Sequence, residues 1–432
     1  MKQQKSKPKP NPNQRRVVVT GLGVIAPNGL GTEQFWQNCM QGVSGVDVVS
    51  QFDTEGLEAK IAGIVKGFMP SDWEISEEQG QRLDRHVLFA LAASKMAMSM
   101  AGLHAGAIPV ELMGVSIATA IAGTGYMEQA FLRYTDHASK PIDYNRVDRH
   151  LYPHIGFNSA STEVAAQYQL CGPTASLATG CTAGLDALGF ALDCIRNNQA
   201  DVMIAGATEA PLTPITMAAF DIIGALSSSH NESPTEASRP FDKNRDGFVL
   251  GEGCGILVLE EYEHACRRGA PILAELCGFG STCNAYHMTD LPADGEELLR
   301  SMSLALEDAD ITPDQIDHVN AHGSSTPQND VNESQALLKL MGEHARHIPV
   351  CSLKSMNGHA LSAANAIEMV AAVLSLVHQQ VPPTINYQTP DPDCPLDYVA
   401  NQGRAAAMNY VLKTASGFSG IHSAVVLKRI ED

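Results

Sequence analysis

The chain has 432 residues, a formal net charge of −19 and 44% apolar residues. This length exceeds the usual range of a single domain, and the acidic balance argues against nucleic-acid binding. No run of 18 apolar residues predicts a membrane span, and the N-terminus lacks the apolar core of a signal peptide. Ten cysteines without a CxxC pair fit a reducing compartment, so we expect a cytoplasmic protein with free thiols.

The chain begins with a segment that predicts no structure and continues as an alternating α/β pattern. Residues 1–14, MKQQKSKPKPNPNQ, carry four lysines and almost no apolar side chains, so we expect a disordered basic tail. Short apolar runs predict buried strands at 16–20, 201–205 and 255–260, whereas 183–198 and 361–378 have helical spacing. A mainly parallel or mixed sheet covered by helices is therefore expected.

Two segments of the chain resemble each other. GCTAGLDALGFALDCI, from residue 180, and GHALSAANAIEMVAAVLSL, from residue 358, each place a reactive side chain just before a helix of small residues. Such an internal echo predicts two similar halves that meet near residue 265. We therefore divide the chain, beyond the tail, into 15–265 with a candidate nucleophile and 266–432 with two candidate histidines.

Two short motifs suggest binding sites that their surroundings argue against. The run 17-VVVTGLGVIA-26 matches a dinucleotide fingerprint, but Pro27 follows where a helix N-terminus must receive the pyrophosphate, so we predict a tight turn after a buried strand. The loop 242-DKNRDGFVLGEG-253 begins like a calcium loop, but Gly253 stands at position twelve and Glu252 comes one residue early. We expect neither a cofactor nor a metal at these two places.

Cys181 stands where a strand-like run gives way to a helix-like one. Unpaired N–H groups and the macrodipole at a helix start favour a thiolate, so Cys181 is a candidate nucleophile. The alternative is a cysteine that only packs in the core. The helix that follows has an apolar face and a flat face of small residues that lets another backbone approach closely. The small residues are Gly184, Ala187, Ala191 and Cys194.

Two of the fifteen histidines lie in settings comparable to that of Cys181. His322 ends the strand-like run 316-IDHVNAHG-323 and is followed by glycine and hydroxyl residues. His359 lies between a strand-like segment and a small-residue helix, with Lys354 five residues earlier. Functional groups of α/β folds are commonly found on such loops, whereas most of the other histidines lie in polar stretches typical of a surface.

These residues and the motifs around them resemble the β-ketoacyl-acyl-carrier-protein synthases of the thiolase fold, in the class with a Cys-His-His triad. The likeness runs from about Arg16 to Lys428, and implies two α/β halves in a layered αβαβα architecture. It is greatest to the catalytic (alpha) ketosynthase subunit of type II polyketide synthases. The motifs that carry it are TGCTAGLDALG around Cys181, RPFDKNRDGFVLGEG at 239–253, NAHGSSTPQND at 320–330, LKSMNGH at 353–359, SGFSG at 416–420, VMIAGATEAPLTPIT at 202–216 and CNAYHMT at 283–289.

The resemblance implies a decarboxylative Claisen condensation. Cys181 would accept an acyl group from the phosphopantetheine arm of an acyl carrier protein, with the N–H groups of Cys181 and Phe418 as an oxyanion hole. A malonyl unit on a second carrier would lose CO₂, and neutral His322 and His359 would stabilise the enolate. Phe418 would also act as a gate, and the chain itself would bind no cofactor.

The resemblance also implies supporting residues and partners. Lys354 would anchor the site through hydrogen bonds. A chain-length factor, which is a related chain without the nucleophile, would complete a heterodimer. Supporting roles would fall to Glu333, Glu368 and Asp330, and contacts with the pantetheine arm to Ser324 and Thr326.

Some positions depart from the family pattern. Ser419 stands where glycine is common, and His422 where asparagine or glutamine is typical, so the shape of this turn is left open. The helix at 75–86, often richly basic where it meets the carrier, has only Arg82 and Arg85 as basic groups besides its histidine. We expect charge reversal at either arginine to raise the Michaelis constant for the carrier.

Three other functions compete with this prediction. A fatty-acid β-ketoacyl synthase II shares the triad and the reaction, and remains an alternative. A biosynthetic thiolase needs a second catalytic cysteine, which 414-TASGFSG-420 does not offer. A non-catalytic chain-length or scaffold subunit would lack the nucleophile, which Cys181 contradicts. The sequence gives neither the starter unit, nor the chain length, nor the product.

Overall fold

The computed structural model describes residues 14–292 and 294–430. The predicted tail, apart from Gln14, lies outside the described residues. The strands are β1 (Val17–Ala26), β2 (Gly29–Leu30), β3 (Val46–Val48), β4 (Ile61–Gly63), β5 (Met113–Ala118), β6 (Thr174–Ala175), β7 (Val202–Glu209), β8 (Gly253–Glu261), β9 (Ala274–Cys283), β10 (His318–Asn320), β11 (Val350–Cys351), β12 (Gln380–Val381), β13 (Arg404–Ala405), β14 (Tyr410–Ser416) and β15 (Ile421–Lys428).

The helices include the two that the sequence predicts, and the three predicted strands are β1, β7 and β8. The helices are α1 (Thr32–Gln41), α2 (Glu77–Arg82), α3 (Arg85–Met100), α4 (Thr124–Tyr134), α5 (Leu151–Ile155), α6 (Ser159–Tyr168), α7 (Ala183–Arg196), α8 (Pro214–Asp221), α9 (Tyr262–Arg268), α10 (Glu296–Asp308), α11 (Pro327–Met341), α12 (Lys354–Asn357) and α13 (Ser362–His378). In the described part of the chain, no helix has both the length and the apolar character to cross a membrane.

The large sheet contains the same five-stranded topology twice. One part has the order β6-β5-β7-β8-β1 and the other the order β11-β10-β14-β15-β9. In each part the first three strands run parallel, and the fourth strand, β8 or β15, is antiparallel to both of its neighbours. Numbered along the chain, both parts therefore read 3-2-4-5-1, which confirms the predicted pair of similar halves. The parts join where Val18 and Val19 of β1 pair with Glu275 and Ala274 of β9.

The helices form three layers around the two sheet parts. Helices α3 and α6 pack on the outer face of the first part, and α10 packs on that of the second, with α11 against α10. Helices α7 and α13 lie between the two parts and contact strands of both. Each of these three layers has its own apolar core, and the largest surrounds α7 and α13. The predicted layered αβαβα architecture is thus confirmed.

The two similar sequence segments contain α7 and α13, and each of these helices follows the third strand of its half. Gly184 of α7 lies against α13: a Cβ there would stand 2.7 Å from the carbonyl oxygen of Ser362. The flat face that the sequence predicts therefore meets the backbone of α13. The division at residue 265 falls within α9, between the last strand of one half and the first strand of the other, and remains our proposal.

The glycines of the dinucleotide-like motif lie inside β1. A Cβ at Gly21 or Gly23 would stand about 2 Å from the carbonyl oxygens of Ala97 and Ala93, so both positions let α3 pack directly on the strand. The strand continues to Ala26, and the tight turn comes after it, between β1 and β2. The expectation of a turn is therefore right, but the glycines serve helix packing rather than the turn.

The carboxylates of the calcium-like loop accept hydrogen bonds from backbone amides. Asp242 accepts hydrogen bonds from the N–H groups of Gln388 and Thr389 at 2.7 and 2.6 Å. Asp246 accepts from the N–H groups of Ser228 and Ser229 at 3.1 and 3.0 Å. These bonds connect the loop to two neighbouring segments, which gives both carboxylates a structural role.

Candidate active site

Cys181 lies in a tight helical turn, Gly180–Thr182, that leads into α7. Gly180 has a φ of 66°, a left-handed conformation that glycine adopts without strain, so the chain can enter the turn sharply. The cysteine is partly exposed to a cleft of about 400 Å³. The cleft is also lined by His322, His359 and Phe418, so the two halves of the molecule bring the three triad residues to one place.

The two predicted oxyanion-hole donors meet at the sulfur of Cys181. Burial in the cleft wall raises the pKa of the thiol to about 11, while the nearby Lys354 and the backbone N–H groups of Phe418 and Cys181 oppose this rise. Gly417, which precedes Phe418, packs against the backbone nitrogen of Cys181. Backbone donors that converge on a nucleophile are also placed to stabilise an oxyanion at a carbonyl bonded to it.

The expectation that the helix start favours a thiolate is wrong for the free protein. The pKa of Cys181 lies above the ordinary value because apolar side chains surround the sulfur. The side chains that pack around Cys181 include Phe220, Phe248, Leu361 and Phe418.

His322 is held by its backbone from both sides. Its N–H donates to Glu333 at 2.8 Å, and its carbonyl accepts from the Lys354 Nζ at 2.7 Å. Glu333 also accepts from the N–H of Gly323 at 2.8 Å and from the hydroxyl of Thr414. The two charged side chains therefore fix the peptide units around His322 and leave its ring free to face the cleft.

Lys354 belongs to a buried network of three charges. Its Nζ donates to both oxygens of Glu368, at 2.7 and 3.0 Å, and the Nζ of Lys413 lies 2.7 Å from the same carboxylate. All three side chains are at most 3% exposed. Burial lowers the pKa of Lys413 to about 8 despite the carboxylate. Two ammonium groups thus share a single buried counter-ion beneath the histidines.

His359 completes the triad from the segment before α13. Its backbone N–H donates to the carbonyl of Val249 at 2.7 Å, and its ring meets that of Phe248 edge-on. The rings of His322 and His359 are nearly perpendicular, with centroids 5.2 Å apart. Burial, together with the positive charges of Lys354 and Lys413, holds the pKa of both rings well below the ordinary value. Both imidazoles are therefore neutral near pH 7.

The other predicted residues lie at different distances from the triad. Ser324 and Thr326 line the cleft, and their hydroxyl groups are hydrogen-bonded to each other at 2.8 Å. Asp330 instead accepts from the N–H of Phe241 and lies 3.5 Å from Arg245. The structure thus brings Ser324 and Thr326 to the cleft, whereas Asp330 holds the neighbouring 239–253 segment.

The comparisons with known proteins agree with this arrangement. Residues 14–265 match the family model "Beta-ketoacyl synthase, N-terminal domain", and residues 273–388 match "Beta-ketoacyl synthase, C-terminal domain". The chain therefore belongs to the beta-ketoacyl synthase family. The predicted resemblance is confirmed, and with it the thiolase fold and the activity of an acyltransferase.

Three relatives of this beta-ketoacyl synthase cover nearly its whole length. The ketoacyl synthase alpha subunit of the tetracenomycin polyketide synthase of Streptomyces glaucescens is 42% identical, over 96% of this chain and 97% of its own. A type II polyketide ketosynthase, solved with its acyl-carrier protein and bound to the hexaketide, has a TM-score of 0.91 and 48% identity over 97% of this chain and all of its own. The ishigamide ketosynthase/chain length factor has a TM-score of 0.89 and 34% identity over 97% of this chain and 100% of its own.

The turn that carries Phe418 departs from the expected residues but keeps a left-handed geometry. Ser419 has a φ of 67°, and its N–H donates to the carbonyl of Met288 at 2.6 Å. His422 is buried below the turn, 3.0 Å from the Ser416 hydroxyl, and burial lowers its pKa to about 4. In this beta-ketoacyl synthase a serine therefore occupies a position that normally favours glycine, held by its contact with the 283–289 segment.

The two arginines expected to meet a carrier protein are already paired. Arg82 donates to both oxygens of Glu163 at 2.7 Å, and Arg85 donates to both oxygens of Glu252 at 2.8 and 2.9 Å. Their positive charges are therefore largely neutralised within this beta-ketoacyl synthase. The docking role predicted for them stays untested, and the pairing weakens its physical basis.

Sequence reasoning missed two polar residues of the site. Lys413 is the one charged residue in the strand 410-YVLKTAS-416, and Asn365 is the one amide in the small-residue helix segment 362-SAANAIEM-369. Both are fully buried. A charged or amide side chain on a buried element needs a buried partner, and this signal could have identified both.

Proposed function

We propose that this protein is the catalytic ketosynthase of a type II polyketide synthase. It extends an acyl chain held on Cys181 by repeated decarboxylative condensation with malonyl units. The observation that carries this proposal is the convergence of Cys181, His322 and His359 in one cleft, with two backbone N–H groups directed at the sulfur. The family relationship and the polyketide relatives support the same reaction.

The first step is transfer of an acyl group. Cys181 attacks the thioester carbonyl of an acyl chain on the phosphopantetheine arm of a carrier protein. The N–H groups of Cys181 and Phe418 stabilise the negative charge on the carbonyl oxygen. The bond to the pantetheine sulfur breaks, and the proton of the Cys181 thiol leaves with the carrier thiol. The apolar cleft wall suits this transfer of an acyl group from one thiol to another, because neither thiol is charged. The same wall excludes water from the new thioester.

The second step forms the carbon–carbon bond. Loss of CO₂ from a malonyl thioester leaves an enolate, whose oxygen His322 and His359 stabilise as neutral hydrogen-bond donors. The enolate carbon attacks the acyl carbonyl on Cys181, and the thiolate leaves and takes up a proton. The β-ketoacyl product remains on the second carrier and can return to Cys181. The reaction needs no cofactor bound by this chain, since the pantetheine belongs to the carrier.

We further propose that the chain acts with an acyl carrier protein and a paralogous chain-length factor. Ser324 and Thr326 line the cleft and offer hydroxyl groups to an incoming pantetheine arm. Many exposed large apolar side chains are concentrated between residues 127 and 157, a surface that suits a protein partner. They are Met127, Phe131, Leu132, Ile142, Tyr144, Val147, Tyr152 and Phe157.

The test is mass spectrometry of carrier-bound products after incubation with malonyl-loaded carrier protein. The chain is assayed alone and after coexpression with its neighbouring paralogue. A poly-β-ketone formed only with the paralogue is the expected result. Efficient single extension of saturated acyl carriers by the chain alone would instead establish the fatty-acid synthase II alternative.

The scaffold alternative has its own test. A non-catalytic subunit would be indifferent to modification of Cys181, whereas the proposed enzyme loses activity when Cys181 is alkylated or replaced by alanine. Cys194→Ala is a matched control, because Cys194 is a buried cysteine on α7, the helix that follows Cys181. Full activity of Cys181→Ala would reject the proposed function.

A further inference from the structure

Lys413 is a buried charged residue that neither step of the condensation uses. It lies on β14, which pairs with β10, the strand that leads to His322. The side chain is fully buried, and a buried ammonium group is costly unless oxygens surround it. Oε2 of Glu368 lies 2.7 Å from Nζ. The ammonium group also donates to the carbonyls of Thr414 at 2.9 Å and Ala321 at 3.3 Å.

The bond to the Ala321 carbonyl completes a set of contacts around His322. The peptide unit that precedes His322 accepts from Lys413 through its carbonyl and donates to Glu333 through its N–H. The next peptide unit accepts from Lys354 through its carbonyl and also donates to Glu333 through its N–H. Each peptide unit that flanks this histidine is therefore held by one lysine and by the same carboxylate.

Lys413 also balances the charge beneath the triad. Without it, the buried network would hold the carboxylates of Glu333 and Glu368 against one ammonium group, that of Lys354. With it, two ammonium groups face two carboxylates. Its positive charge also disfavours protonation of both triad imidazoles. Negative charge that develops on a thioester oxygen at the histidines is then not opposed by a net anion below.

We propose that Lys413 is a positioning residue for the condensation: in its ammonium form it holds the peptide unit before His322 and balances the second carboxylate beneath the triad. This inference deepens the proposed function and rests on it, since it assigns a residue to the same site. Lys413 acts through His322 and the buried network, without contact with the substrate.

The proposal predicts an alkaline limit to the reaction. Burial lowers the pKa of Lys413 to about 8, so the ammonium group loses its proton as pH rises through this value. The network then has one more carboxylate than ammonium group, and formation of the enolate becomes less favourable. Decarboxylation should therefore slow above pH 8.

Two neighbours of Lys413 are neutral at this pH and do not compete as its cause. Burial lowers the pKa of His318 to about 4 and raises that of the Cys351 thiol far above its ordinary value. The charged and titratable groups that face Lys413 are His318 on β10, Glu333 on α11, Cys351 on β11, Lys354 on α12, Glu368 on α13, and the two triad histidines.

The test compares Lys413→Met with the parent protein and with a matched control. Methionine fills a similar volume but carries no charge. Val411→Ala is the control, because Val411 is buried on the same strand and its truncation weakens packing without changing any charge. For each folded protein, kcat and KM for malonyl-carrier decarboxylation are measured from pH 5 to 9.5.

In the parent protein we expect kcat to fall with an inflection near pH 8. Lys413→Met should lower kcat at pH 7 by about tenfold, with KM for the carrier within about twofold, and should lack this inflection. It should also lose activity about one pH unit earlier on acidification, because its histidines are protonated more readily. Val411→Ala should keep the parent profile. A parent kcat that stays constant to pH 9.5, or a folded Lys413→Met protein with the parent profile, would overturn the proposal.

A readout without turnover separates this inference from the proposed function. The ring signals of isotope-labelled histidines are titrated by NMR and assigned with His322→Ala and His359→Ala. Lys413→Met should raise the midpoints of both rings by about one pH unit. If the parent does not decarboxylate malonyl carrier but the midpoints move, the proposed function fails and the role of Lys413 in the network stands. Unmoved midpoints reject that role whether or not the parent is active.

Discussion

The chemistry of the site depends on how burial sets the protonation of single residues. Cys181 is kept as a thiol, since burial raises its pKa to about 11, and the two histidines are kept neutral because their pKa values fall. A neutral thiol and two neutral imidazoles fit a reaction in which charge appears only transiently. The site therefore avoids standing charge at the reacting atoms and places it on Lys354, Lys413 and Glu368 below.

The pH dependence of decarboxylation follows from these shifts. Because the pKa of His322 and of His359 lies well below 6.5, both rings remain neutral as pH falls through 6.5. We expect the two histidines to leave kcat for malonyl decarboxylation unchanged from pH 7.5 down to 6.5 and to lower it only in more acidic buffer, whereas Lys413, with its pKa of about 8, titrates above this range. Steady-state assays over this range check the expectation. An inflection between pH 6.5 and 7.5 would contradict it.

The shared carboxylate makes Glu368 more critical than either lysine. Glu368→Gln removes the carboxylate that pairs directly with two buried ammonium groups, so we expect the free energy of unfolding to fall by about 3–5 kcal/mol. Lys354→Met leaves Glu368 paired with Lys413 and should cost less. Chemical denaturation of both variants gives the comparison. An equal or larger loss for Lys354→Met would show that the carboxylate is not the shared partner.

At the scale of elements, the site forms where α7 and α13 cross. One helix start carries Cys181, and the other follows His359 and carries Asn365. The crossing is close because Gly184 has no side chain between the two backbones. The sequence predicted both helices and the flat face of α7. It could not predict the contact of Asn365 with Cys181, which are 184 residues apart, since that contact depends on the offset and angle of two helices.

The crossing can be tested by adding one methyl group. In Gly184→Ala the Cβ would stand 2.7 Å from the Ser362 carbonyl oxygen, so the helices must separate. We expect a loss of about 1–3 kcal/mol in the free energy of unfolding, and a fall in kcat as Cys181 moves from its partners. Gly80→Ala is the control, because Gly80 lies in the exposed helix α2 with open space around it. Parent-like stability and kcat in Gly184→Ala would contradict the close crossing.

At the scale of the whole molecule, the charge that a surface offers to a partner depends on pairings that the sequence does not show. Each catalytic motif depends mainly on residues that are adjacent in the chain. Cys181, His322 and His359 meet in the cleft, as the resemblance implied. The two arginines of the 75–86 helix are different, because their charge depends on Glu163 and Glu252, which are distant in sequence. The apolar wall that raises the pKa of Cys181 is likewise assembled from separate segments.

The paired arginines lead us to expect that apolar contacts contribute to carrier docking. Ile222 is 86% exposed and adjoins Ile223 and Gly224, which line the cleft. The net charge of −19 also works against an acidic carrier. We expect Ile222→Asp to raise KM for malonyl carrier by about tenfold without lowering kcat.

The control for this surface is Val377→Asp, an equally simple change at an exposed apolar residue near the far end of α13. It should leave KM unchanged. A normal KM in Ile222→Asp would place the docking surface elsewhere, and Arg82→Glu then becomes the more informative variant.

The repeated strand order has a consequence for how such a site can arise. Two identical copies of one five-stranded unit, paired face to face, would offer the same residue at both central helix starts. Joining the copies in one chain removes that restriction, because each start can then change independently. Here one start holds a sulfur and the other an imidazole and an amide. A division of labour that two identical chains could not encode is thus available to a single chain with two similar halves.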